Sequence, residues 1–147
     1  MMNEFLSGLD GKPGIIASNS IMIARLKSIA FRAGYLTKSE DNFGKAVQGY
    51  DDIIFVDLGK YHNGTKSDNV VPIYDSGDNT GLTDLYTMTL GLDGFHGVSL
   101  SGGNIIDTYL PDLASPGAVK KAEVEMIAAV ALKNTTKAGV FRNIKVA

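Results

Sequence analysis

The chain has 147 residues, 44% of them hydrophobic and 20% charged, with a formal net charge of -2 at pH 7; this is the size and balance of one folded domain rather than of a disordered chain. It has no cysteine, which excludes disulfides, thiolate metal sites and cysteine nucleophiles. It also lacks a basic block and any apolar run near the roughly 18 residues that span a bilayer, so neither sequence-specific nucleic-acid binding nor membrane insertion is expected.

The first third of the sequence predicts a strand followed by a helix. Residues 11–14 form a glycine- and proline-containing turn, and residues 15–17 form a short strand. Ser18, Asn19 and Ser20 are successive N-cap candidates, and Gly34 stands where a helix C-terminal glycine belongs. Between them, apolar residues recur at helical spacing: Met22, Leu26, Ile29, Ala30 and Ala33.

The middle of the sequence predicts short strands separated by turns. Residues 53–56 are an apolar, β-rich run and predict a buried strand. Residues 59–69 are polar and predict an exposed loop. Residues 70–74 predict a short strand that contains a proline and therefore lies at an edge or an end. Residues 75–81 predict a further turn.

The second half of the sequence also favours strands. Residues 85–90 predict a strand running to Gly91, and residues 94–100 predict its continuation past a turn or bulge. Polar and apolar residues alternate over 121–126, which predicts a strand with one wet face. The apolar run 127–132 fits a strand or a helix equally.

The end of the chain predicts a helical turn over residues 135–138 and a final strand over 140–146. The chain contains 17 glycines, a composition that favours many turns and short strands over an all-helical fold.

The order of these elements resembles that of tailed-bacteriophage major capsid proteins. The helix is followed by Asp41-Asn42-Phe43-Gly44 and then by residues 47–50, which lead into the strand at 53–56. Residues 84–94 and the pair of segments 119–131 and 138–144 are also similar to stretches of this family.

The resemblance implies an α+β phage major-capsid-type fold, called the Hong Kong ninety-seven type, made mainly of an axial domain plus the terminal strands of a peripheral domain. Residues 1–116 would form the axial-domain-like region, with a short N-terminal segment from the peripheral domain, and residues 117–147 would return to peripheral-domain strands. This favours strand over helix at 119–132. Such proteins usually have an N-terminal arm, an extended loop and a spine helix before these elements, so we expect either a fragment or a relative that has lost them.

The resemblance also implies a structural role without catalysis. The expected partners are other capsid subunits in a homo-oligomer, with scaffold or portal proteins as further candidates, and no sequence-specific nucleic acid or membrane. The expected location is the virion, after synthesis in the bacterial host cytoplasm. Two alternatives stay open: an encapsulin-like shell protein, and a small cytoplasmic α/β enzyme or ligand-binding domain that uses the glycine-rich residues 91–104.

Only a few residues suggest chemistry. The two histidines, His62 and His96, lie near Asp57 and Asp93 in sequence, but no HxH or HExxH spacing supports a metal or acid–base site. We therefore expect His62 in a solvated loop and His96 at a strand bend.

The glycine-rich segments are read as turns. Residues 91–94 and 101–104 lack the lysine of a phosphate-binding loop, which favours β-turns. Ser99 and Ser101 lack the Gly-x-Ser-x-Gly pattern of a nucleophile elbow. The sequence thus predicts no catalytic, cofactor-binding or metal-binding residue and no cofactor.

Two segments are candidates for subunit contacts. The charged residues Lys120, Lys121, Glu123 and Glu125 either form a solvated face or meet complementary charges on a neighbouring subunit. The loop at 59–69 either is a plain surface loop or, by the resemblance, lines the centre of a capsomer.

Overall fold

A computed structural model describes residues 2–40, 44, 46–74, 80–114 and 116–146. Strands dominate this α+β fold. The helices are α1 (Met2–Ser7) and α2 (Ser20–Arg32), with a short 3-10 helix at Thr135–Lys137. The strands are β1 (Ile15–Ser18), β2 (Leu36–Glu40), β3 (Ala46–Tyr50), β4 (Ile53–Asp57), β5 (Lys60–His62), β6 (Ser67–Asn69), β7 (Leu82–Met88), β8 (Phe95–Ser99), β9 (Ile106–Tyr109), β10 (Glu123–Met126), β11 (Ala128–Leu132) and β12 (Ala138–Lys145).

The body of the protein is a six-stranded sheet with strand order β12-β7-β1-β4-β3-β2. Strands β1 and β4 are parallel, and the other neighbours are antiparallel. A parallel pair needs a crossover connection, and here the connection includes α2. Side chains of the helix and the sheet form the core, and its buried members are Ile16, Met22, Ile23, Ala30, Ile53, Phe55, Leu85 and Val146.

Helix α2 confirms the strongest local prediction. Asn19 is its N-cap, and the side-chain oxygen of Asn19 accepts a hydrogen bond from the backbone N–H of Met22 at 2.9 Å. Gly34, directly after the C-cap Ala33, has a φ of 73°, a conformation that glycine adopts without steric cost. Two expected core positions are wrong, because Ile29 and Ala33 are exposed, Ile29 to 61%.

Two predictions for the middle of the chain are wrong. Residues 59–69 contain the antiparallel hairpin β5–β6 rather than an irregular loop, although this hairpin is largely exposed as expected. Residues 70–74 form no strand beyond an isolated bridge between Tyr74 and Leu82, because the carbonyls of Val71 and Pro72 accept hydrogen bonds from side chains. The predicted turn at 75–81 lies mostly outside the described residues, as do residues 41–43 of the family resemblance.

The last third of the chain is built of strands. Strand β11 resolves the ambiguity at 127–132 in favour of the resemblance, and the short 3-10 helix and β12 confirm the predicted chain end. Two corrections apply. Strand β8 leaves the central sheet and pairs with β11 instead of continuing β7. Strand β10 begins only at Glu123 and is exposed on both faces, not on one.

Candidate subunit interface

Strands β8 to β11 form one long antiparallel ribbon, which we call the β-arm (residues 95–132). At its base β8 pairs with β11, from Phe95 opposite Leu132 to Ser99 opposite Ala128. Further out β9 pairs with β10, and the backbone N–H of Ile127 donates to the carbonyl of Ile105. Residues 100–104 therefore loop out opposite Ile127 and its neighbour Ala128, which are adjacent in sequence.

Most of the β-arm's large apolar side chains are exposed. They are Val98, Leu100, Ile105, Ile106, Tyr109, Leu110, Leu113, Val119, Val124, Met126, Ile127, Val130 and Leu132. A two-stranded ribbon alone in water is at best marginally stable, and large exposed apolar patches mark interaction sites. The β-arm is therefore the strongest candidate interface among the described residues.

The outer half of the β-arm has two chemically different faces. One face carries the side chains of Ile106, Thr108, Val124 and Met126, because opposed residues of antiparallel strands share a face. The other face carries Asp107, Tyr109, Glu123 and Glu125. The apolar face is exposed, since Ile106, Val124 and Met126 are 55%, 69% and 63% exposed.

The contacts of the charged residues in the outer β-arm fit both predicted roles, a solvated face and a contact with a neighbouring subunit. Lys121 forms an ion pair with Glu123, and both side chains are more than half exposed. Such exposed pairs contribute little stability. The Lys120 ammonium donates to the carbonyl of Asp112 at 3.2 Å. These contacts are compatible with a solvated face and with a charged rim around an apolar interface.

A tight turn sets the base of the β-arm. The backbone N–H of Gly94 donates to the carbonyl of Gly91 at 2.9 Å, so residues 91–94 form a turn, as predicted. The next N–H, of Phe95, donates to the carbonyl of Thr89 at 2.9 Å. A Cβ at Gly94 would overlap that carbonyl. The turn therefore needs glycine to direct the chain out of the central sheet.

The residues considered for chemistry are spread over different elements. His62 lies in the exposed β5–β6 hairpin, 3.2 Å from the Ser67 hydroxyl, and the Nδ1 of His96 lies 3.3 Å from the carbonyl of Gly94. Ser99 ends β8, and Ser101 lies in the looped-out segment 100–104. No group of three or more His, Asp or Glu side chains in the described ranges is arranged to hold a metal ion.

A buried polar cluster holds the β5–β6 hairpin's connection against the body. The side-chain amide of Asn19 donates to the carbonyl of Val71 at 3.2 Å and to the Thr83 hydroxyl at 2.7 Å. That hydroxyl donates to the carbonyl of Pro72 at 2.8 Å. Asn19 and Thr83 are fully buried. These contacts fix the segment after the hairpin to the start of α2, and sequence reasoning identified only the capping role of Asn19.

A second apolar surface lies at the C-terminal end of α2. Phe31 and Tyr35 are 74% and 56% exposed. Beside them a cavity of about 200 Å³ is lined by Met2, Leu26, Ile29, Ala30, Ala33, Tyr35, Tyr50 and Phe55.

No helix in the part of the chain that the structure describes is long and apolar enough to cross a membrane.

Comparison with known proteins identifies the fold but not the family. No family model matches the sequence, and no curated protein matches it significantly. A solved structure, that of the holo-SrpI encapsulin complex from Synechococcus elongatus PCC 7942, matches 99% of this chain with a TM-score of 0.70 and 16% sequence identity. The chain spans about half, 49%, of the length of that encapsulin chain. The likeness supports a Hong Kong ninety-seven type fold, in agreement with the resemblance seen in the sequence.

Proposed function

We propose that this chain builds a protein shell, as a subunit or as part of one, through contacts between like subunits. The observation that carries the proposal is the fold: nearly the whole chain matches half of an encapsulin chain. The β-arm supports it, because a ribbon with many exposed apolar side chains needs a protein surface to cover it. A shell supplies such surfaces by repeating modest contacts under symmetry.

Two types of shell fit this proposal, a phage capsid and an encapsulin-like compartment. The element order of the sequence resembles tailed-phage major capsid proteins, and for such a protein we propose the virion as its location and scaffold or portal proteins as further partners. The structural neighbour favours the second candidate, an encapsulin-like compartment. Portal, protease or scaffold genes beside this gene would support the phage capsid, whereas a gene for an enzyme suited to encapsulation would support the compartment.

The division into an axial-like region and a peripheral return at residue 117 remains a proposal. Strand β12, from the second segment, pairs along β7 of the first segment. The two proposed regions therefore share the central sheet, and the β-arm, which contains the boundary, is the element that extends away from it.

The direct test is to express the complete gene product alone and to image it by electron microscopy after size-exclusion chromatography. We expect closed particles of uniform diameter. A monodisperse monomer at concentrations up to about 100 μM, well above the dissociation constants of standard-size interfaces, would contradict the shell proposal.

The enzyme or ligand-binding alternative makes a different prediction. A ligand at one hundred times its dissociation constant stabilises a folded protein by about 2.7 kcal/mol. We expect no such increase in the melting temperature with nucleotides or divalent metal ions. A saturable increase that is lost in a His96→Ala variant of unchanged solubility would favour the alternative.

A further inference from the structure

The tip of the β5–β6 hairpin carries an exposed Asn-Gly pair. Asn63-Gly64 is the single Asn-Gly sequence in the chain, and both residues are exposed. An asparagine in this position can react with its own backbone, because the nitrogen of the next residue and the side-chain carbonyl carbon are held close enough to close a small ring. The reaction depends on the surroundings of that nitrogen and of the side-chain oxygen, and the hairpin determines both.

The side-chain oxygen of Asn63 is held by two backbone donors. The N–H of Thr65 donates to Oδ1 of Asn63 at 3.1 Å, and the N–H of Lys66 donates to the same oxygen at 2.9 Å. The backbone N–H of Asn63 donates to the carbonyl of Lys66 at 3.1 Å, which closes the turn from the other side. When a nucleophile adds to the side-chain carbonyl, negative charge develops on Oδ1. Two N–H groups at about 2.7–3.1 Å are the arrangement that stabilises such an oxyanion.

The attacking nitrogen, that of Gly64, is unobstructed. In the described ranges no group accepts a hydrogen bond from the Gly64 N–H. Gly64 has a φ of 93°, and no atom lies within 4 Å of the place where a Cβ would stand. The pair Asp93-Gly94 is different, because the Gly94 N–H donates to the carbonyl of Gly91 at 2.9 Å and the Thr89 carbonyl fills the Cβ position. The hairpin tip therefore offers a free nitrogen that the turn at the base of the β-arm does not.

We propose that Asn63 is a site of self-modification, at which the backbone nitrogen of Gly64 attacks Cγ of Asn63 and forms a succinimide. Hydroxide from the solvent removes the proton of the Gly64 N–H, the N–Cγ bond forms, and the carbonyl electron pair moves to Oδ1. The N–H groups of Thr65 and Lys66 stabilise that charge. The pair then returns, the Cγ–Nδ2 bond breaks, and the departing nitrogen takes a proton from water and leaves as ammonia. No atom is oxidised or reduced.

Water completes the modification by opening the succinimide at one of its two carbonyls. Addition at Cγ gives aspartate at position 63, and addition at the backbone carbonyl gives isoaspartate, in which the main chain runs through the side chain. In either case one water is consumed and one ammonia is released. Aspartate offers the two N–H groups a charged acceptor, which they bind more strongly. Isoaspartate lengthens the turn, so it no longer fits the pairing of His62 with Ser67.

Asn134 is a matched internal control. Its Oδ1 accepts from the backbone N–H of Thr136 at 3.0 Å and from the Thr136 hydroxyl at 2.7 Å, so its oxygen is also held by two donors. The residue after it is Thr135 rather than glycine, and the branched Cβ of threonine crowds the backbone nitrogen. We expect Asn63 to be modified at least roughly tenfold faster than Asn134 in the same sample. Equal rates at the two positions would overturn the proposal.

The test compares the folded protein with the same protein unfolded in guanidinium chloride, both kept at one mildly alkaline pH. Trypsin releases the peptide 61–66, because Lys60 and Lys66 flank it, and mass spectrometry measures the exchange of the amide NH2 for OH. We expect Asn63 to be lost at least as fast in the folded protein, because the unfolded chain lacks the two N–H donors. Slower loss in the folded protein would show that the turn protects Asn63 and would overturn the proposal.

The products and two variants test the succinimide itself. We expect two products of equal mass, aspartate and isoaspartate, that separate in chromatography; aspartate alone would indicate direct hydrolysis and would overturn the proposal. Gly64→Ala adds a Cβ beside the nitrogen and should slow the loss of Asn63 roughly tenfold without changing the rate at Asn134. An unchanged rate at Asn63 would contradict the attack by this nitrogen. Asn63→Gln, which would need a larger ring, should leave the peptide 61–66 unmodified, and a mass gain at the natural rate would place the reaction elsewhere.

The reaction needs no second subunit. Its outcome is therefore independent of the shell proposal, and closed particles or their absence would neither support nor contradict it.

Discussion

Asn19 is the residue whose replacement tests most directly how the body of the protein is held together. Its side-chain oxygen accepts from the backbone N–H of Met22 at 2.9 Å, and its amide donates to Val71 and Thr83. Asn19→Ala removes an N-cap, which costs about 1 kcal/mol. It also leaves the buried Val71 carbonyl without this donor, which costs about 1–3 kcal/mol. We expect the free energy of unfolding to fall by about 2–4 kcal/mol.

Asn19→Ser separates the two contributions. Serine also caps helices, but its hydroxyl does not replace the amide that reaches Val71 and Thr83. This variant should therefore lose only the buried contribution and be more stable than Asn19→Ala by about 1 kcal/mol. The control is Asn134→Ala, which removes the cap of the short 3-10 helix near the surface and should cost at most about 1 kcal/mol.

The assay is equilibrium urea unfolding followed by circular dichroism, since the chain contains no tryptophan, with hydrogen exchange of the Met22 amide as a local readout. An Asn19→Ala variant within about 0.5 kcal/mol of the natural protein would show that these hydrogen bonds contribute no net stability. Equal stabilities of the Ala and Ser variants would refute the capping contribution.

Three further predictions follow from single positions and use the same unfolding assay. Gly94→Ala should lower the free energy of unfolding by about 2 kcal/mol or more, because the added Cβ would overlap the Thr89 carbonyl. Its control, Gly97→Ala, has open space around the added Cβ and should lower it by less than about 0.5 kcal/mol. Equal effects of the two variants would refute the steric argument. Asp52 has a φ of 63°, a left-handed conformation that is costly for a residue with a Cβ and free of that cost for glycine. Asp52→Gly should therefore stabilise the protein by about 0.5 kcal/mol, after the larger backbone entropy of glycine in the unfolded chain is subtracted. A loss of stability would show that the Asp52 carboxylate contributes more than the relieved backbone strain. Leu85→Ala, at a side chain with 0% exposure, should cost about 2–5 kcal/mol, whereas Leu92→Ala, at 80% exposure, should change stability by less than about 0.5; similar values for both would contradict the described core.

Predictions that depended on neighbouring residues were the most successful. The N-cap at Asn19 and the glycine at position 34 bracket α2 because capping acts over a few residues. The apolar run at 53–56 became β4 and lies at the core for the same reason. The turn at 91–94 followed from its glycines. His62, expected in a solvated loop, ends the exposed strand β5, and His96, expected at a strand bend, is the second residue of β8.

The errors arose where distant residues decide the outcome. Residues 70–74 look like a strand, but side chains more than ten positions away take up the carbonyls of Val71 and Pro72. Alternation over 121–126 correctly predicts two different faces on β10, yet it does not say whether anything packs on the apolar one.

The sequence by itself therefore determined helix α2, the turn at 91–94 and the strand-rich composition, because capping, turn formation and side-chain periodicity act between residues close in the chain. Only the tertiary structure decided that β8 leaves the central sheet, that β12 joins it, and that the β-arm is exposed on both faces. Strand pairing and burial join residues far apart in sequence, and their free energies depend on which surfaces meet, which no local pattern specifies.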